Sequence, residues 1–292
     1  MRLDDERQSD NVEDRRGEVY SGGGGGIGGR HIGIGTVAIA LVASYFFGID
    51  PRVILGLASN SQPSAPVQQG PAHAPPAGDA MATFVSKVLA DTEDTWQAVF
   101  REGGKEYKAP KLVLFTGMTP TACGKGQTAM GPFYCPMDEK VYIDLAFYQD
   151  LKTRFKAPGE FAEAYVIAHE VGHHIQKLLG ISAQVQHAQE QARSEAEANA
   201  LSVRLELQAD CFAGVWGNRA DKSQHIIEPG EVEQALAAAS AIGDDRLQQQ
   251  ARGYAVPDTF THGTSEQRVR WFKRGMDSGN LNQCNTFKAA QL

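Results

Sequence analysis

Positive charge is in short supply in this chain. Its 292 residues carry 28 Lys and Arg against 35 Asp and Glu, a net charge of −7. No basic stripe breaks that balance, which argues against a nucleic-acid partner. Cysteine is scarce as well. The four present, Cys123, Cys135, Cys211 and Cys284, form no Cys-x-x-Cys pair, so a zinc ribbon is excluded. The glycine tract Gly22–Gly26 has no strand before it and no Gly-Lys-Ser/Thr after it, which removes a phosphate-binding loop. Long apolar runs are missing with one exception, Ile32–Ile49.

What is there divides the chain into four parts. Residues 1–30 are charged and then glycine-rich, cannot bury a core of their own, and read as a disordered cytoplasmic segment. Residues 31–50 read as a transmembrane anchor: the run IGIGTVAIALVASYFFGI reaches the lower limit of the about 17–25 residues a membrane helix needs. Its flanks offer nothing to bury it as a soluble helix. It is also longer than the about 7–15 apolar residues of a signal peptide, which favours an uncleaved anchor over cleavage near Ala58. Arg15, Arg16 and Arg30 precede it and only Arg52 follows closely, so the N-terminus is assigned to the cytoplasm. Residues 51–80, rich in Pro, Ala and Gln, form a solvated linker. Residues 81–292 are the folded domain, and a hydrophobic content of 42% is that of a globular protein.

The domain is organised around Ala168-His169-Glu170-Val171-Gly172-His173-His174. Pro158-Gly159 and Gly180 bracket a helix with Phe161, Tyr165, Ala168, Gly172, Ile175 and Leu179 on one stripe. On that helix His169 and His173 leave the same face one turn apart, the spacing at which two imidazoles share one Zn²⁺. Glu170 lies at the edge of the face, where it can serve as general base to a water on the metal. His174 points away and reads as packing or solvent. A glycine inside a helix costs about 1 kcal/mol relative to alanine, so Gly172 implies close approach of another element beside the metal. The class of zinc protease with a third histidine six residues after the second is excluded, because Leu179 and Gln176 occupy its histidine and glycine positions.

A catalytic zinc takes three protein ligands and a water. In the long helical region 183–218, Glu206 supplies a third ligand. Asp210, one turn on, can take the second ring N–H of a ligating histidine. Both sit among Leu205, Leu207, Ala209, Cys211 and Phe212, where an unpaired carboxylate is costly. Helices are also expected over 81–101 and 230–250, and strands over Lys111–Thr116 and Val141–Phe147. The second strand, just ahead of the metal helix, reads equally as an exposed edge that accepts a peptide or as an ordinary packed strand. Four cysteines allow three pairings, and proximity favours Cys123–Cys135, leaving Cys211–Cys284; free thiols are the alternative. Thr264 and Gln267 fit a capping box. His262, just ahead of it, reads either as a donor to the oxyanion of a tetrahedral intermediate or as a plain loop histidine.

The segments VIAHEVGHHIQKLLG, RLELQADCFAGVWG, GPFYCP, IGDDRLQQQ, FTHGTSEQRVRWFKRG and SDNVEDRRG together resemble the bacterial family of membrane-anchored neutral zinc metallopeptidases. The resemblance implies a gluzincin-like site with His169, His173 and Glu206 as zinc ligands and Glu170 as base. The expected fold is α+β and mainly α, a zincin-like domain with a small sheet. The expected activity is zinc-dependent endopeptidase action on peptide or protein substrates at the outer face of the bacterial inner membrane. The rival is a membrane-tethered interaction module that keeps zinc only for stability; a base between the ligands favours the enzyme.

Overall fold

The computed structural model describes residues 1–18, 73–127 and 131–292. The anchor expected at residues 31–50, most of the linker, and the glycine tract lie outside the described residues. Among the described residues no helix is long and apolar enough to cross a membrane.

Residues 1–18 overturn the expectation of disorder for that part of the N-terminal segment. Strand β1 (Val12–Asp14) lies parallel to β2 (Lys111–Phe115), in the register Val12↔Leu112, Glu13↔Val113 and Asp14↔Leu114. The segment is too polar to make a core, but its polar groups find partners in the domain. Ser9 Oγ donates to Glu93 at 2.6 Å, Arg7 pairs with Glu93 and Asp94, and Lys111 and Lys140 converge on Glu13. Leu3 and Val12 are buried against the body of the protein. Composition measures what a segment can bury by itself; here the backbone pairs with a strand about a hundred residues away.

Helix α1 (Ala80–Glu102) follows, opened by Asp79, whose side chain accepts the Ala82 N–H at 3.0 Å. The main sheet has strand order β1-β2-β6-β5. β6 (Lys140–Asp144) runs parallel to β2, and β5 (Phe133–Cys135) runs antiparallel to β6. β3 (Met118–Thr121) and β4 (Gly124–Gln127) make a separate antiparallel pair. The last strand before α3 (Glu160–Leu178), β6, is therefore internal, and among the described residues β1 and β5 are the two edges. β6 also ends earlier than the sequence suggests: Asp144 accepts the Ala146 N–H at 3.0 Å and turns the chain into α2 (Ala146–Thr153).

The rest is helical: α3 (Glu160–Leu178), α4 (Ile181–Glu190), α5 (Glu195–Gln224), α6 (Glu231–Ala241), α7 (Asp244–Arg252) and α8 (Ser265–Ser278). The region 183–218 is thus two helices, separated where Ser194 caps α5 by accepting the Glu197 N–H. The region 230–250 likewise breaks at Gly243, whose missing Cβ leaves room for the Ser265 backbone nitrogen. α5 is the central helix, packed on both α3 and α8. It crosses α8 at two glycines: a Cβ at Gly214 would stand 2.1 Å from Phe272 O, and one at Gly275 2.0 Å from Cys211 O. Trp96, Phe161, Phe212 and Trp216 fill the core around it, each no more than 1% exposed. The result is an α+β, mainly helical domain.

Candidate metal centre

α3 and α5 meet at Gly172, where a Cβ would lie 3.0 Å from Ala209 O and 3.1 Å from Ala209 Cα. That close approach brings three side chains together. His169 Nε2 is 3.2 Å from Glu206 Oε2, and His173 Nε2 is 3.3 Å from Glu206 Oε1. The ligand atoms of the three residues all lie within 4.8 Å of one another. Donors at 2.0–2.1 Å from a tetrahedral ion are about 3.3 Å apart, so each imidazole–carboxylate pair has the spacing of two Zn²⁺ ligands. The donor set is of the borderline kind zinc prefers.

The far side of each ring is held by the protein. His169 Nδ1 donates to Asp210 Oδ1 at 2.8 Å, which leaves Nε2 with its lone pair toward Glu206. His173 Nδ1 donates to Gln176 Oε1 at 2.9 Å, and Gln176 in turn donates to Leu205 O at 2.7 Å. Asp210 is fully buried and holds more than His169. Tyr165 OH donates to its Oδ1, and Arg268 donates twice, Nε to Oδ2 and Nη2 to Oδ1, each at 2.9 Å. Arg268 also gives Nη1 to Ile242 O, so α8 is locked to the site as well. Arg268, Tyr165 and Gln176 had no signature in the sequence beyond their helical positions.

Electrostatics follow from this arrangement. Burial pushes the Asp210 carboxyl up, but Arg268 and His169 outweigh it and hold it down at about 2. Burial lowers the His169 imidazole, yet Asp210 and Glu206 reverse the balance and raise it to about 10. Glu206 stays well below the usual carboxylate range despite burial, because His173 and His169 flank it. The site is therefore a pocket of negative charge that takes up protons when no cation is present.

Glu170 is 7% exposed, and among the described residues no hydrogen bond occupies its carboxylate. It remains available to a water at the site. His174 does face away: its Nε2 meets Lys108 O at 2.7 Å and its Nδ1 meets Tyr134 OH at 2.9 Å. His262 stands in the loop before α8, and Gly263 packs that loop on Val203 and Leu207, one turn before and one residue after Glu206. The capping box of Thr264 and Gln267 is formed. Both expected disulfides are present, Cys123–Cys135 and Cys211–Cys284, and the second fastens the C-terminal segment to α5.

A sequence profile of the family described as "Putative neutral zinc metallopeptidase" matches residues 1–287. The chain is similar to uncharacterized protein YpfJ of Escherichia coli K12, with 54% identity over 294 residues, covering 98% of this chain and 99% of the relative. It is also similar to uncharacterized protein Rv2575 of Mycobacterium tuberculosis H37Rv, with 42% identity over 219 residues, 72% of this chain and 73% of the relative. No solved structure matches.

Proposed function

The chain belongs to the neutral zinc metallopeptidase family, and from that premise we propose that it is a zinc-dependent endopeptidase with Glu170 as its general base. The observation that carries this reading is the convergence of His169, His173 and Glu206 beside an unengaged Glu170. These three residues would hold the metal. Zinc, when bound, supplies Lewis acidity that polarises the scissile carbonyl and lowers the pKa of a water toward about 7.

The remaining chemistry belongs to the chain. Glu170 takes a proton from the attacking water and returns it to the leaving nitrogen, so that water and a peptide bond become a carboxylic acid and an amine, which then exchange the acid proton to leave as carboxylate and ammonium. Asp210 and Gln176 keep the His169 and His173 rings in the tautomer that leaves Nε2 unprotonated. His262 stands beside Glu206 as a donor for the carbonyl oxygen. The outer edge of β5, unpaired among the described residues and tied to α3 through Tyr134 and His174, offers backbone groups to an extended peptide.

The same reading places the folded domain outside the cytoplasm, where its two disulfides persist. Residues 1–18 share that side, because β1 pairs with β2 in one sheet. A single membrane crossing between them is thus no part of the proposal.

Glu170→Gln is the test. It keeps the shape of the side chain and removes the base. Zinc content is expected to stay normal while cleavage of unfolded casein falls by roughly 10²–10⁴-fold. Casein cleavage by the variant at the wild-type rate would remove Glu170 as the base, and a wild-type protein that binds zinc but cleaves no casein would put the scaffold reading ahead.

A further inference from the structure

The segment Gly243-Asp244-Asp245 supplies no candidate metal ligand, yet it holds the loop that carries His262. Asp244 Oδ2 accepts three consecutive backbone N–H groups, from Thr261 at 2.7 Å, His262 at 2.6 Å and Gly263 at 3.1 Å. Its own N–H returns a bond to Gly263 O at 2.9 Å. Asp245 anchors the next turn by accepting the Ser265 N–H at 2.7 Å. One oxygen of Asp244 thus fixes the loop, and the other is left for the ring: Oδ1 is 3.2 Å from His262 Nδ1.

Holding the backbone alone would not need that second contact. Thr261 Oγ1 also reaches Nδ1, at 3.0 Å, while no protein group among the described residues bonds Nε2. The ring is half exposed, and its loop packs on α5 to either side of Glu206.

We propose that Asp244 is a positioning residue for catalysis. It holds Nδ1–H of His262 so that Nε2–H is presented beside Glu206 to the carbonyl oxygen of a bound peptide. The inference rests on the peptidase reading. For both nitrogens to donate, the ring must carry two protons, and a carboxylate beside Nδ1 favours that form. The charged groups facing His262 are Asp244 from α7, Glu206 from α5 and Arg268 from α8. Burial lowers the imidazole, but Asp244 and Glu206 outweigh it and leave it raised. The donor is then present at low pH and lost as pH rises through the raised value.

The experiment uses the full chain with one equivalent of zinc and ¹⁵N-labelled histidine, His262 being assigned through His262→Gln. On deprotonation the wild-type ring is expected to keep its proton on Nδ1, next to Asp244. Asp244→Asn should move the His262 titration to lower pH, whereas Asp245→Asn, which touches only the loop anchor, should not. Against a fluorescence-quenched peptide, Asp244→Asn should lower kcat about tenfold or more with little change in KM, and Asp244→Glu should recover part of the loss. A neutral wild-type ring protonated on Nε2, or a His262 titration unchanged in Asp244→Asn, would overturn the proposal. The wild-type tautomer decides even if Asp244→Asn does not fold. A wild-type protein that cleaves no peptide would sink the peptidase reading, while the ring measurements still decide the role of Asp244.

Discussion

Two aspartates are buried to nearly the same depth in this protein and end in opposite states. Asp210, in α5, is 0% exposed, and Asp91, in α1, is 1% exposed. Burial alone pushes both carboxyls upward. Asp210 meets the Arg268 guanidinium and His169, and is held at about 2. Asp91 has the Trp216 indole N–H as a donor, and the carboxylates of Glu6 and Asp94 nearby, so burial prevails and it rises to about 7. The difference lies in the partner, not in depth. A permanent anion behind His169 is what a metal-binding imidazole needs, and Arg268 is what keeps it permanent. Asp91 stands in a part of the core where no such fixed charge is used.

The largest effect should come from disturbing the paired carboxylate. Asp210→Asn strands the Arg268 guanidinium, itself 2% exposed, without its counter-ion. A loss of about 3–5 kcal/mol in chemical unfolding is expected, since breaking a buried pair from one side leaves an uncompensated charge. Zinc affinity, read by chelator competition, should fall roughly 10–100-fold as His169 loses its orienting acceptor. Asp91→Asn, in contrast, should leave zinc affinity alone. Equal unfolding free energies for the two variants would erase the contrast.

The smaller effect is one of pH. Burial raises the native Asp91 carboxyl from its ordinary value of 3.8 to about 7, so between those values the native state binds more protons than the unfolded one. Stability is therefore lost as pH rises from about 4 to about 7 through this group, the opposite of the Asp210 case. Asp91→Asn should remove that loss and melt at a higher temperature than wild type at pH 8, with the gap closing at pH 5. Parallel melting curves for the two proteins at pH 5 and 8 would show that the core accommodates ionised Asp91.

The same contrast explains what could be read from the sequence. His169, Glu170 and His173 announce themselves by spacing on one helix, and Glu206 and Asp210 by standing one turn apart in an apolar stretch. The Thr264–Gln267 capping box is local and formed as read. Arg268 could not be singled out, because Arg268, Arg270 and Arg274 look alike in SEQRVRWFKRG and only the crossing of α8 over α5 selects the first. Asp244 was hidden for the same reason: its partners lie 17 to 19 residues further along, in a loop whose path no periodicity gives. Composition makes residues 1–18 look disordered because their partners, Glu93, Lys111 and Lys140, are distant in sequence.

The proposed metal centre joins His169, His173 and Glu206 across α3 and α5. Titrating the metal-free full-length chain with zinc against a chromophoric chelator tests it most directly. One zinc should bind per chain, and His169→Ala, His173→Ala and Glu206→Ala should each abolish stoichiometric binding while remaining folded by circular dichroism. A Glu206→Ala protein that binds one zinc with wild-type affinity would rule out this centre, because the third ligand would then lie elsewhere.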